Sequence, residues 1–112
     1  MKKSEVFIMY NLIGGRVKFS ALSNEKVRKE MISLFRSLRK AISPIEDELK
    51  ITETPASQGN AEEMRRSILD EDYSGEELIK ISEDSIVTAF AESGVDLPIL
   101  AVLNTFNPVI KN

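Results

Sequence analysis

Carboxylates are the most abundant side chains able to do chemistry here. They gather at Glu46-Asp47-Glu48, Glu62-Glu63, Asp70-Glu71-Asp72 and Glu76-Glu77. Paired carboxylates serve general acid–base catalysis, and oxygen clusters hold hard cations. A calcium loop, however, alternates its oxygen ligands and closes on a glycine and a distal glutamate, which neither acidic triplet does. Acids in loops and first helical turns ordinarily solubilise or cap, and they are read that way here. The chain has no histidine, cysteine or tryptophan. That removes disulfides, thiolate nucleophiles, Cys/His zinc sites and histidine-based triads together. What remains assembles into no catalytic or metal-ligating constellation, so neither enzyme activity nor a cofactor is expected.

The paired glycines of "NLIGGRVKFS" raise the question of a phosphate loop. Such loops need G-x-x-x-x-G-K-[ST] between strand and helix, or G-x-G-x-x-G in the dinucleotide version. Only "GGR" stands here, with Val17 and Phe19 where backbone donors are wanted. Gly14 and Gly15 are therefore expected to form a hinge, since glycine takes the left-handed conformation that closes a helix. Arg16 is a candidate anion contact beside it. Lys26, Lys29, Arg36 and Lys40 make a basic stripe that could follow a nucleic-acid backbone. The same stripe is also the ordinary solvated face of a helix, and no aromatic residue is interleaved for base stacking.

These residues need elements to hold them. Residues 3–13 place Val6, Met9, Tyr10 and Ile13 at helical spacing, which predicts a short N-terminal helix, although "EVFIMY" alone suits a strand. From Asn24 the spacing is plainer. Val27, Met31, Leu34, Leu38, Ala41 and Ile45 recur on one face, with Phe35 and Ile42 beside them. This predicts a long amphipathic helix, capped by Ser23 or Asn24 and ended or kinked at Pro44. Residues 51–60, "ITETPASQGN", read as a flexible linker. Asn60 and Glu63 then form a capping box ahead of a short helix. "EELIKIS" fits a helix capped from Ser74 or a small β element near 78–82. Ser82 opens a helix running to about Glu92, and Gly94 closes it. Asp96 is expected as the next N-cap, with Pro98 in the first turn of a final helix. No charge falls between Leu97 and Ile110 in that last helix. A helix apolar on nearly every side is buried in a core or an interface.

A chain of 112 residues is the size of one domain, 1–112, and can bury roughly two-thirds of its unfolded surface. Its 42% apolar and 29% charged content is that of a soluble globular protein, and the lack of cysteine fits the expectation of a cytoplasmic one. Glu5 and Asn11 interrupt the N-terminal apolar run, which argues against an export signal. No stretch reaches the roughly 20 apolar residues of a membrane span. Net charge is −3 but unevenly placed: residues 1–43 balance at +7 and residues 44–112 at −10. Either the halves neutralise each other on packing, or the basic half meets an anionic partner.

The order "KKSEVFIMYNLIGGRVKFSALSN", a long charged helix, "KI", acids and an apolar C-terminal helix resembles a loose family of small proteins encoded by phages and prophages. Gly15, Lys18, Phe19 and Asn24 carry the first part of the resemblance, and Lys80-Ile81 and Glu83-Asp84 the last. It covers about two-thirds of the chain and departs from it over residues 51–75. It implies a structural, assembly or host-interaction role, in the host cytoplasm or the virion, and transfers no functional residue.

The expectation is therefore a mostly α, small helical bundle with one short, one long and two C-terminal helices. It acts as a non-enzymatic interaction or assembly module that self-associates, as a dimer, or binds a phage or host protein. Leu97, Leu100, Val102, Leu103 and Phe106 are the expected interface. The runner-up is a nucleic-acid-binding regulator using Arg16 and the basic stripe.

Overall fold

The computed structural model describes residues 1–53 and 59–111. Five helices build it: α1 (Lys3–Arg16), α2 (Glu25–Lys50), α3 (Ala61–Asp70), α4 (Glu83–Glu92) and α5 (Ile99–Phe106). Among the described residues there is no strand, only isolated bridges pairing Lys2 with Asp72 and Ile81 with Ile110. The mostly α bundle is thus the fold. The β element near 78–82 contracts to one bridge, because Ile81 alone pairs: its amide donates to Val109 and its carbonyl accepts from Lys111.

α2 is the central element. Every position of its apolar stripe is buried, from Val27 through Met31, Leu34, Leu38, Ala41 and Ile42 to Ile45. Asn24 caps it, its side-chain oxygen accepting from the Lys26 and Val27 amides at 2.8 and 3.2 Å. Pro44 does not end it. The helix continues to Lys50 because Ile45 and Leu49 stay on the stripe and are buried, which offsets the missing proline donor.

α1 runs antiparallel to α2, with Lys3 against Glu48 and Tyr10 stacked on Phe35 at 4.8 Å. It packs Val6, Met9 and Ile13 into the core. Gly14 and Gly15 are not a hinge: both lie inside α1, and neither has a positive φ. The reversal follows at residues 17–24, where tertiary contacts set the turn. Val17 and Leu22 are buried, the Lys18 amide donates to Ser93 Oγ at 2.8 Å, and Arg28 Nη2 donates to the Leu22 carbonyl at 2.9 Å.

α4 packs on the N-terminal half of α2, capped by Ser82, whose Oγ accepts from the Ser85 amide. It closes as expected at Gly94, where φ is +71°. The Gly94 amide donates to Ala91 and the Val95 amide to Phe90, the paired bonds of a Schellman ending. Asp96 does not cap α5. Pro98 takes that place, its carbonyl accepting from Ala101 and Val102, since the helix begins two residues later than the composition suggested. Nor does Asn60 form a side-chain cap on α3. Of the expected linker 51–60, residues 54–58 lie outside the described residues. Ile51–Glu53 continues α2 as a 3-10 turn held by Thr52 Oγ1, which donates to the Leu49 carbonyl at 2.6 Å.

Candidate functional site

The expected interface divides when α5 folds. Val102 and Phe106 face inward and are buried, Phe106 tilted against Phe90 with ring centroids 5.5 Å apart. They belong to the core and leave the interface set. Positions three and four apart share a helix face, so turning Val102 and Phe106 inward turns Leu100 outward. Leu100 is 76% exposed and Ile99 58% exposed, while Leu97 and Leu103 are half-buried at the margin. The result is two exposed apolar side chains at the start of α5, a helix with no charged residue of its own.

A second surface lies between α2 and residues 73–79, a groove of about 740 Å³. From α2 it is lined by Ser33, Arg36, Ser37, Lys40 and Glu48, and from the later segment by Glu76, Glu77 and Ile79, with the buried Ala41, Ile45 and Leu78 also bordering it. Tyr73 shapes one end. Its hydroxyl donates to the Glu76 carbonyl at 2.7 Å, and its ring crosses Gly75 so closely that a Cβ there would lie 2.6 Å from the phenolic oxygen. Burial, with Glu76 adding to it, pushes the Tyr73 hydroxyl above the usual tyrosine range. The Ile79 amide donates to Ser37 Oγ at 3.1 Å and pins the later segment to α2.

Lys3 closes the same end. Its ammonium lies 2.6 Å from Glu71 and 3.0 Å from Glu48, with its side chain only 11% exposed. The bonds from Glu71 and then Glu48 raise its pKa above the ordinary lysine value. Lys2 adds a pair to Asp70 at 2.6 Å. These three pairs join the basic half of the chain to the acidic half, so part of the charge asymmetry is spent inside the fold.

The basic stripe is not gathered into one surface. Lys29 is paired with Glu25 at 3.2 Å. Arg36 and Lys40 sit one turn apart on the groove, Lys26 lies more than two turns away from them, and Arg16 ends α1, exposed. What reasoning from spacing missed is that Tyr10, Phe35 and Phe19 meet. Tyr10 stacks on Phe35, Phe19 lies tilted against Phe35 with centroids 5.9 Å apart, and Arg39 donates to the Tyr10 hydroxyl at 3.0 Å. Only the pairing of α1 with α2 brings them together, and no local sequence signal marks it.

Among the described residues no acidic cluster is arranged to hold a metal ion, and no helix is long and apolar enough to cross a membrane. No family model, no curated protein and no solved structure matches the chain.

Proposed function

We propose that the chain is a non-enzymatic interaction or assembly module, of the phage type its sequence resembles, that self-associates through the outer side of α5. One observation carries this reading: Leu100 and Ile99 stand exposed on a helix that has no charge to keep them in water. Contiguous exposed apolar surface, rather than a lone exposed leucine, marks a partner site. A twofold dimer covers such a patch with its own copy, the commonest arrangement in soluble oligomers. Host cytoplasm or virion is the site of action that accompanies this role. A nucleic-acid role along α2 has less support, because Glu48, Glu76 and Glu77 line the same groove as Arg36 and Lys40 and Glu25 holds Lys29.

Light scattering over a concentration series tests the proposal. The wild type is expected to shift toward a dimer with rising concentration, and Leu100→Lys to remain monomeric with unchanged helical content. A wild type that stays monomeric at high micromolar concentration overturns it.

A further inference from the structure

Among the described residues, α3 is the one helix that stands outside the core. α1, α2, α4 and α5 each contribute to the main hydrophobic cluster, whereas no residue of α3 belongs to it. None of its ten side chains is buried; Ala61, Met64, Ile68 and Leu69 are half-covered and the others exposed. It lies against α1, α2 and the 3-10 turn Ile51–Glu53 that follows α2. Its fit to α1 is open, leaving a groove of about 650 Å³ bordered by Ser4 of α1 and by Arg66, Leu69 and Asp70 of α3. A segment with so few buried apolar contacts opens locally at a lower free energy than the core around it.

Polar ties through residues 1–3 hold its C-terminal end. Lys2 Nζ lies 2.6 Å from Asp70, and Lys3 Nζ lies 2.6 Å from Glu71. The Lys3 amide donates to the Glu71 carbonyl at 2.9 Å, and the Tyr73 amide to the Met1 carbonyl at 2.7 Å. Asp70 and Glu71 keep more than half of their side-chain surface in water, so dissolved salt screens both pairs. Lys3 also holds Glu48 of α2 at 3.0 Å. That second partner remains when Glu71 leaves, so opening does not strand the ammonium without a counter-charge. At the same end of α2, Ile45 and Leu49 are buried yet lie outside the main cluster.

We infer that α3 is a detachable cover, latched by Lys2 and Lys3, that opens as a unit when ionic strength rises and uncovers the far end of the α2 stripe at Leu49. The other four helices stay folded through this change, because the core they share includes nothing from α3. The charge asymmetry of the chain acts at this latch, where basic residues 2 and 3 meet acidic residues 70 and 71. The device does not rest on self-association through α5.

Native-state hydrogen exchange of the wild type over a salt series, followed by mass spectrometry at low protein concentration, is the first test. The Debye length falls from about 10 Å at 0.1 M salt to about 3 Å at 1 M. The amides of residues 64–70 and of Tyr73 are expected to exchange together, ahead of those in α1, α2 and α4, and several-fold faster at the higher salt. Lys2→Gln with Lys3→Met should speed the same amides about tenfold at low salt and abolish their salt response. A thiol reporter then reads what opening uncovers, with no native cysteine to compete. Leu49→Cys should be labelled at the rate at which α3 opens, while Leu34→Cys, fully buried in the core, stays protected. Exchange of α3 at the same rate as the centre of α2 overturns the inference, and so does exchange that ignores salt. A Leu49→Cys thiol that stays protected while α3 exchanges overturns it as well. The salt series on the wild type decides the matter even if the double lysine variant fails to fold.

Discussion

Gly14 and Gly15 sit inside α1 with nothing that calls for glycine's special dihedrals. A Cβ on Gly15 would meet no atom within 4 Å, and one on Gly14 would touch the Phe35 ring at an ordinary 3.4 Å. Helical glycine costs about 0.5–1 kcal/mol relative to alanine. Gly15→Ala is therefore expected to stabilise the protein by about 0.5 kcal/mol, less than the full amount because the site lies in the last turn. Urea unfolding measures it, and a destabilised variant would mean the helix ends earlier. Glu30 makes a second prediction at this scale. Burial alone would raise its pKa, but the Ser85 hydroxyl, the Ser82 amide and hydroxyl, and Lys26 outweigh it and hold the carboxyl below its usual value. A depressed carboxylate contributes stability that is present above its unfolded pKa and lost as pH falls through the folded one. Unfolding free energy of Glu30→Gln should accordingly fall less steeply than that of the wild type as pH drops below the ordinary carboxylate value. Identical slopes would remove Glu30 from the account.

α5 shows how one helix serves two surfaces. Phe106 is fully buried against Phe90, so Phe106→Ala should cost about 3–5 kcal/mol through lost burial and the cavity left behind. Leu100 projects from the other side, and Leu100→Ala in the monomer should change stability by no more than about 0.5 kcal/mol. Denaturant titration at low protein concentration separates the two. Equal costs would mean that Leu100 is covered. α2 carries the complementary lesson. A proline within a helix costs about 3 kcal/mol, yet the helix persists through Pro44 because burial of Ile45 and Leu49 on the far side repays it.

The whole molecule is elongated, about 49 × 26 × 23 Å, and its ends are tied differently. At one end Lys2 and Lys3 join the N-terminus to α2, α3 and the segment after α3. Lys3→Met should lower stability by about 1–2 kcal/mol, since Glu48 and Glu71 are open enough to rehydrate when their partner goes. It should also speed hydrogen exchange at the Tyr73 amide, which donates to the Met1 carbonyl at 2.7 Å. Because the pKa of Lys3 is raised, its contribution is complete below the ordinary lysine value and is lost as pH climbs through the folded value. Unchanged Tyr73 exchange would show that the backbone bridge holds without the ammonium.

Periodicity alone determined the central helix, because the 3.6-residue repeat from Val27 to Ile45 admits a single face and all of it is buried. Local chemistry alone also determined the Ser82 cap and the Gly94 ending, and narrowed the α2 cap to Ser23 or Asn24, of which the structure uses Asn24. Tertiary structure decided everything in which local preference was outvoted or silent. Glycine and proline lost their breaking role at Gly14, Gly15 and Pro44 because buried residues on either side of them, Ile13 and Val17 in one case and Ile45 and Leu49 in the other, outweighed propensity. "EELIKIS" formed neither helix nor strand, since only Ile81 found a backbone partner. The final helix read as uniformly apolar until Phe90 and its neighbours covered Phe106 and Val102 and left Leu100 outside. The groove comes from residues some forty positions apart on α2 and the segment after Tyr73, joined by a hydrogen bond from the Ile79 amide to Ser37. Spacing within one segment carries no information about which distant segment will face it, so that surface exists only once the chain has folded.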